Sequence, residues 1–212
     1  IDRDLCTLLV KKLGNVDNFL LLQNDFLTLD LASSLTDFPN FQNANKVVAN
    51  IPYNITGPIL EKLLGNIVHP SSQPFDSIVL LVQREVGDRL FAKPSTKAFG
   101  ALSIRVQYLA HCELICPVPA RDFSPPPKVD SAVIRLTPRR LELMANNPKL
   151  LDNLVRLGFS TRRKMLRNNL QSAIDREDLT KLLTSLNIKT DTRAEDLSLE
   201  QWIQLSNLVT DN

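Results

Sequence analysis

A short stretch of the chain combines three residue types that together can hold an aromatic amine. Asn50 offers an amide oxygen, Pro52 offers the carbonyl of a residue whose φ is locked, and Tyr53 offers a flat ring. Two fixed acceptors that take both hydrogens of an exocyclic amine favour a pyramidal nitrogen, whose lone pair then turns toward an electrophile. Stacking of the ring is typically worth about 1–3 kcal/mol. By itself, Asn-Ile-Pro-Tyr is also an ordinary strand end with a turn proline.

The elements around this stretch predict a sheet edge. Residues 47–50 form an apolar strand pattern, and Ile59, Leu63 and Ile67 then repeat at helical spacing after Thr56. Open α/β sheets bind their ligands where the carboxyl end of a strand faces the start of a helix. We therefore expect the Asn-Ile-Pro-Tyr stretch to lie at an accessible sheet edge.

The whole pattern predicts an α/β protein with a helical C-terminal part. Short apolar runs alternating with helical patterns favour a mostly parallel sheet, followed by two antiparallel strands at 112–118 and 131–136. The other expected strands are 19–22 and 78–83, and the expected C-terminal helices are about 148–158, 161–171, 177–186 and 198–209. We predict an α/β domain over 1–140 and a helical domain over 141–212.

Composition and charge narrow the classes of function. The 212 residues are 43% apolar, and runs such as 78–82 are far too short to cross a bilayer, so no membrane role is expected. Three cysteines without a CxxC pair predict neither a disulfide framework nor a zinc site. The net charge is only +2, yet no acidic residue occurs between Asp152 and Asp175. Five basic residues fall in that interval: Arg156, Arg162, Arg163, Lys164 and Arg167.

This basic segment predicts a surface for nucleic acid. On a helix starting near Ser160, Arg163 and Arg167 would be one turn apart, with Lys164 beside them. Such a cationic face can neutralise phosphates and makes binding salt-dependent. A solvated helix face is the alternative. Lys93, Lys97, Arg105, Arg121 and Lys128 are candidates to extend the surface.

Several stretches resemble the ribosomal RNA adenine N6,N6-dimethyltransferases, in the branch of the kasugamycin-sensitivity methylase. "NIPYNITGPILEKLL" is similar to motif IV of that family, and "FSPPPKVDSAVIRL" is similarly specific. Further matches in the same order are "IDRDL", "QNDFL", "LVQREVGDRL", "KAFGALSIRVQY", "RRKMLRNNL" and "TRAEDLSLEQW". The resemblance implies a Rossmann-like S-adenosylmethionine-dependent methyltransferase domain with a small all-α C-terminal domain.

The resemblance also implies roles for individual residues. Asn50 and the Pro52 carbonyl would accept from the N6 amine of a flipped adenine, with Tyr53 on one face of the base and Phe123 on the other. The residues implied for the methyl donor are Ile1, Asp25, Phe26 and Asn50. Those implied for RNA are Lys128, Arg162, Arg163, Lys164 and Arg167. No metal is expected. As a sequence feature alone, Asn-Asp after a strand is also a common turn or cap.

One feature of the family is missing from the sequence. The first strand, the glycine-rich donor loop and the second strand up to the Glu of its final Glu-x-Asp would precede Ile1, and none of the six glycines forms a GxGxxG spacing. We therefore expect an N-terminally incomplete domain.

The implied function is dimethylation of two adjacent adenosines in a hairpin near the 3′ end of small-subunit ribosomal RNA, within an immature subunit. The alternative is a ribosome-assembly or RNA-binding factor whose methylation is secondary or lost. A monomer in the bacterial cytoplasm is expected, with an organelle as the alternative location.

Overall fold

The structure is a computed structural model and describes residues 2–210. The chain forms two compact units, Ile1–Lys46 and Val47–Asn212. The predicted boundary at residue 140 lies inside the second unit and stays a prediction. Within the described residues, no helix is long and apolar enough to cross a membrane.

The described residues of the first unit contain two α-helices, α1 (Arg3–Leu13) and α2 (Leu31–Ser34). Each begins at an aspartate whose side chain accepts a backbone N–H of the first turn, from Leu5 for Asp2 and from Ser33 for Asp30. The strand predicted at 19–22 is wrong, because these residues are not part of a strand in the described structure. A strand needs a hydrogen-bonded neighbour, and the apolar run alone does not provide one.

The second unit is built on a four-stranded sheet with the order β1-β2-β4-β3. The strands are β1 (Lys46–Asn50), β2 (Ser77–Gln83), β3 (Ala110–Val118) and β4 (Ser131–Pro138). β4 runs antiparallel to both β2 and β3. The predicted antiparallel pair of β3 and β4 is confirmed. The expectation of a mostly parallel sheet is wrong for this part of the chain, because β4 is antiparallel to both of its neighbours, β2 and β3.

Three helices flank this sheet in sequence: α3 (Thr56–Leu64), α4 (Arg84–Leu90) and α5 (Ala101–Leu109). In β2, Ile78, Leu80 and Val82 are fully buried and alternate with half-buried residues, which is the two-residue period of a strand with one covered face. Gly87 of α4 lies against this face, since a Cβ built on it would be 3.4 Å from Ala132 Cβ. α4 therefore packs directly on the sheet.

The C-terminal part contains four helices around a common core. They are α6 (Pro148–Gly158), α7 (Leu166–Asn169), α8 (Arg176–Ser185) and α9 (Leu199–Thr210). Trp202 is fully buried, as predicted for the inner face of the last helix, and its ring centroid is 5.8 Å from that of Phe159. Three of the four predicted helices are confirmed.

The predicted helix over 161–171 is wrong, because only Leu166–Asn169 is helical. In a helix starting near Ser160, the Leu166 N–H would bond to the carbonyl of Arg162. It donates instead to the carbonyl of Thr192, at 2.8 Å. The Asn169 amide also donates to the carbonyl of Thr161, at 3.0 Å. These bonds hold the preceding residues as turns, so Arg163 and Arg167 do not share a helical face.

Replacing Gly158 by alanine should destabilise the protein. Its Cβ would be 2.5 Å from Trp202 Cη2 and 3.3 Å from Leu166 Cδ1, both in the core. We expect a loss of about 1–3 kcal/mol in the free energy of unfolding, the usual cost of overpacking. Gly57→Ala is the matched control, because nothing lies within 4 Å of its Cβ in α3, and a gain of about 0.5–1 kcal/mol is expected there. Urea denaturation measures both, and equal effects would contradict the packing.

Cys112 in β3 should react slowly with alkylating reagents. Burial raises the pKa of its thiol from 9.0 to about 12, and the charge of Arg139 offsets only part of that rise. The fold thus stabilises the protonated thiol below about pH 9, and this contribution is lost as the pH rises toward 12. At pH 8 we expect iodoacetamide to modify Cys112 on the order of a hundredfold more slowly than exposed Cys116. Mass spectrometry follows both sites, and comparable rates in the folded protein would contradict the prediction.

Candidate active site and comparison with known proteins

The chain turns from strand to helix directly after β1 and leaves two acceptors at the surface. Asn50 ends the strand and is exposed, whereas Ile51 is buried at 6% exposure and anchors the turn. Pro52 (φ −62°, ψ 128°) then leads into a short 3-10 helix at Tyr53–Ile55. The Thr56 hydroxyl donates to the Tyr53 carbonyl at 3.1 Å, where α3 begins. The side chain of Asn50 and the backbone of Pro52 therefore remain accessible beside a fixed turn.

A hydrogen bond across the end of the sheet holds the ring of Tyr53. Its hydroxyl lies 2.5 Å from the hydroxyl of Ser131, which is fully buried at the first residue of β4. Ser131 is paired with Gln83 of β2 and with Val118 of β3. The half-buried tyrosine is thus tied to the sheet end at which three strands meet.

Phe123 lies in the loop that joins the last residue of β3 to the first residue of β4, at this same end of the sheet. The loop joins β3 to β4, and the N–H of Ala120 donates to Asp130 Oδ1 at 2.9 Å across its base. The carbonyl of Asp130 accepts from the N–H of Arg84 at 2.9 Å, which attaches the loop to α4. Phe123 itself is half-buried and follows a 3-10 turn at Ala120–Asp122. The structure therefore brings Phe123 and Tyr53 to one end of the sheet.

Both acceptors have capacity for a further hydrogen bond. The Pro52 carbonyl accepts the N–H of Ile55 at 3.2 Å and has a second lone pair. The Asn50 side chain has no hydrogen-bond partner within residues 2–210. Among those residues the close aromatic pair is Phe159 with Trp202, so Tyr53 and Phe123 are not stacked on each other. The two rings therefore do not cover one another's faces.

Asp25 and Phe26, two of the residues implied for the methyl donor, belong to the first unit. Asp25 is exposed and accepts the N–H of Leu27 at 2.9 Å through Oδ1, which leaves Oδ2 for another donor. Phe26 is 41% exposed. A carboxylate oxygen beside an accessible aromatic ring fits an adenine, which has an amino donor and two apolar faces. Ile1 lies outside the described residues.

The basic residues differ in their surroundings. Lys128, Arg163 and Lys164 are exposed, whereas Arg167 is half-buried and its Nε has no partner in the described part of the chain. Arg162 is engaged within the protein, because its Nε lies 2.9 Å from Glu195 Oε2 and its Nη2 donates to the carbonyl of Lys97. Another candidate, Arg105, is paired with Asp152 at 2.9 Å.

Neither Ser131 nor Glu195 was assigned a role from the sequence. The two-residue alternation of β4 puts Ser131 on the face of Arg135 and Thr137, opposite the buried Ala132, Ile134 and Leu136, so periodicity gives no signal for its burial. Its partner Tyr53 is also 78 positions away, so no local pattern could name the pair. Glu195 carries no local signal, since its bond to Arg162 spans 33 positions.

The fold and this sheet end define an α/β methyltransferase with a helical C-terminal part, and comparison with solved structures agrees. A dimethyladenosine transferase from Plasmodium falciparum matches with a TM-score of 0.76 and 23% identity, over 97% of this chain and 78% of that one. The 23S rRNA methyltransferase ErmE matches with a TM-score of 0.70 and 24% identity, over 100% and 80%. The expected Rossmann-like α/β fold is thereby confirmed.

Sequence comparison identifies the family. The profile described as "Ribosomal RNA adenine dimethylase" matches residues 1–211. "Ribosomal RNA small subunit methyltransferase A" of Trichormus variabilis is 66% identical over 209 residues, which are 99% of this chain and 77% of that protein. The protein of the same name from Synechocystis is 60% identical over 209 residues, which are 99% and 74%. The chain belongs to the ribosomal RNA adenine dimethylase family, which confirms the resemblance.

The hydroxyl pair at the sheet end should appear as an energetic coupling. Ser131→Ala should cost about 0.5–1.5 kcal/mol in the free energy of unfolding, the usual value of one hydrogen bond, and Tyr53→Phe about 1–3 kcal/mol, because it leaves the buried Ser131 hydroxyl unpaired. The double variant should cost little more than one single variant, because both remove the same bond. As a control, Tyr108→Phe should add to Ser131→Ala, since the Tyr108 hydroxyl contacts Ala145 instead. Additivity of Tyr53→Phe and Ser131→Ala in urea denaturation would contradict the coupling.

Proposed function

We propose that this protein is an S-adenosylmethionine-dependent ribosomal RNA adenine N6,N6-dimethyltransferase of the small subunit. Its targets are two adjacent adenosines in a hairpin near the 3′ end of that RNA, met within an immature subunit. The family membership of nearly the whole chain supports this activity. The observation that carries the chemistry is the exposed Asn50 and Pro52 beside a tyrosine fixed to Ser131.

The chain's own residues prepare the amine for attack. A flipped adenine stacks between Tyr53 and Phe123, and its two N6 hydrogens point to the Asn50 amide oxygen and the Pro52 carbonyl. These acceptors draw the nitrogen toward a pyramidal geometry, so its lone pair faces out of the ring plane. Since both acceptors are already in place, little reorganisation accompanies the reaction. Base extrusion from the RNA is the cost of reaching N6.

S-adenosylmethionine, when bound, supplies an electrophilic methyl carbon attached to a sulfonium. The N6–carbon bond forms as the carbon–sulfur bond breaks, and N6 then loses one proton to water. Asp25 would accept from the amino group of the donor's adenine, while Phe26 and Ile1 would cover its ring. Asn50 would contact both substrates, since it lies where the amine must meet the methyl group.

The RNA would be held by positive charge around the site. Lys128, Arg163 and Lys164 are exposed and can reach phosphates, whereas the Nε of Arg167 is buried, so half-buried Arg167 would reach RNA only through the outer nitrogens of its guanidinium. Structured RNA offers phosphates and 2′-hydroxyls more readily than base edges. The protein would act as a monomer in the bacterial cytoplasm. Its partner would be small-subunit ribosomal RNA in an immature subunit.

Removing the Asn50 amide should abolish most of the methyl transfer. We expect Asn50→Ala to lower kcat by about 100- to 1000-fold, the range found when one preorganised hydrogen-bond partner is removed. Tyr53→Ala should weaken substrate binding by about 5- to 150-fold through lost stacking, whereas Tyr53→Phe keeps the ring but loses its bond to Ser131, so its loss of activity should be smaller than that of Tyr53→Ala. The measurement is transfer of labelled methyl groups to small subunits that lack the modification.

The matched control is Asn43→Ala, which removes the same exposed side chain from a turn before β1 and should leave the rate unchanged. An active Asn50→Ala variant would overturn the proposed role of the amide. Tight binding of the subunits by the unaltered protein without any label in the RNA would overturn the enzymatic function and favour an assembly factor.

A further inference from the structure

The loop between α4 and α5, residues 91–100, is bonded to a distant part of the chain. Ser95 has a positive φ of 62° and its N–H donates to the carbonyl of Glu195 at 2.7 Å. The Ser95 hydroxyl also donates to Asp196 Oδ1 at 3.1 Å. A non-glycine residue with positive φ is uncommon and persists where its surroundings hold it. These two bonds supply that restraint.

Arg162 makes a second connection between the same two segments. Its Nε lies 2.9 Å from Glu195 Oε2, and its Nη2 donates to the carbonyl of Lys97 in the loop. The side chain of Glu195 is only 20% exposed, whereas that of Arg162 is 52% exposed. Two nitrogens of one guanidinium, Nε and Nη2, thus connect Glu195 to the backbone of Lys97. A planar guanidinium suits this geometry because its donors have fixed directions.

The segment that carries Glu195 is in turn attached to the basic part of the helical domain. Asp196 Oδ2 accepts the N–H of Arg193 at 2.9 Å, which closes the 3-10 turn at Ala194–Asp196. The carbonyl of Thr192 accepts the N–H of Leu166 at the start of α7. Through these bonds the 91–100 loop and the basic segment 162–167 are positioned by one network.

A cavity of about 620 Å³ lies beside this network. Arg162, Lys97 and Phe99 line it together with residues of α4 and of the start of α5. Phe99 is buried at 2% exposure, and the Gly100 N–H donates to Ser103 Oγ at 3.0 Å, so the loop is also fixed where α5 begins. Any movement of Arg162 would therefore change both the wall of this cavity and the place of Lys97.

We propose that Arg162 and Glu195 form a clamp that positions the 91–100 loop against the basic segment, so that Arg162 is a positioning residue for RNA binding and not a phosphate contact. The part that concerns RNA rests on the proposed function. The charge of Arg162 is paired with that of Glu195, and the Lys97 carbonyl occupies one further donor of its guanidinium. Arg162 therefore has fewer free donors and less unpaired charge for a phosphate than exposed Arg163. A count of basic residues in the segment therefore overstates the charge available to RNA.

The clamp itself is tested in the protein alone by hydrogen exchange. Arg162→Gln and Glu195→Gln should each accelerate exchange of the backbone amides in residues 93–100, including that of Ser95, by about 2- to 5-fold, the range that corresponds to a partly exposed ion pair. The double variant should exchange no faster than the faster single variant, because both changes open the same contact. Unchanged exchange in both single variants would overturn the clamp, whatever the protein does to RNA.

The assignment of Arg162 is tested by how RNA affinity depends on salt. Loss of a phosphate contact lowers the slope of log K against log salt by about 0.7–0.9. We expect Arg162→Gln and Glu195→Gln to weaken RNA binding by a similar factor of about 2- to 5-fold and to leave the slope unchanged. If Arg162 instead contacts a phosphate, Glu195→Gln frees its charge and tightens binding, while Arg162→Gln weakens binding and lowers the slope. That opposite response would overturn the proposal.

Two further variants separate charge from geometry. Arg163→Gln, at the neighbouring exposed position, should lower the salt slope without changing exchange in the loop. Arg162→Lys keeps the charge but loses the fork that reaches both Glu195 and Lys97, so it should restore loop protection only in part. Full recovery of both exchange and affinity by lysine would contradict the clamp geometry. Failure of the unaltered protein to bind RNA would refute the proposed function, and the exchange measurement would still decide whether the clamp exists.

Discussion

The buried hydroxyl of Ser131 is the constraint on which the candidate active site depends. It lies at the end of the sheet with strands on both sides, where an unpaired polar group would cost about 1–3 kcal/mol. The hydroxyl of Tyr53 lies 2.5 Å away and supplies the partner. This one bond ties the turn after β1 to the start of β4. The ring of Tyr53 and the backbone of Pro52 consequently have a fixed direction, while Asn50 stays exposed.

In the proposed mechanism, that arrangement lets a site without a strong base activate an amine that is a poor nucleophile. An amide oxygen and a carbonyl oxygen accept hydrogen bonds well but are only weakly basic, so their effect on an amine depends on being aimed correctly. The buried Ile51 and the locked φ of Pro52 hold the turn from one side, and Ser131 holds it from the other. The fold thus provides orientation where the residue types provide only modest polarity.

The basic segment illustrates the difference between the charge in a sequence and the charge available to a ligand. Arg162 and Arg163 are neighbours of the same type, yet the first bonds to Glu195 and to the Lys97 carbonyl while the second faces solvent. Only Leu166–Asn169 of the helix expected over this segment is helical, because the Leu166 N–H and the Asn169 side chain bond to more distant carbonyls. Tertiary hydrogen bonds therefore decided both the backbone and the charge of this surface.

The sequence by itself determined the elements whose periodicity is strong, and it singled out the residues that we propose for the chemistry. The strands around 47–50 and 78–83, the helix after Thr56 and the inward face of Trp202 all follow from the burial of apolar side chains at a regular spacing. Asn50, Pro52 and Tyr53 could be singled out because they are adjacent in the chain. Only the tertiary structure decided that Tyr53 bonds to Ser131, that Arg162 bonds to Glu195, and that residues 19–22 form no strand. These outcomes depend on residues that are far apart in the chain. A local sequence pattern can indicate that a polar group needs a hydrogen-bond partner, but it does not identify the distant residue that provides it.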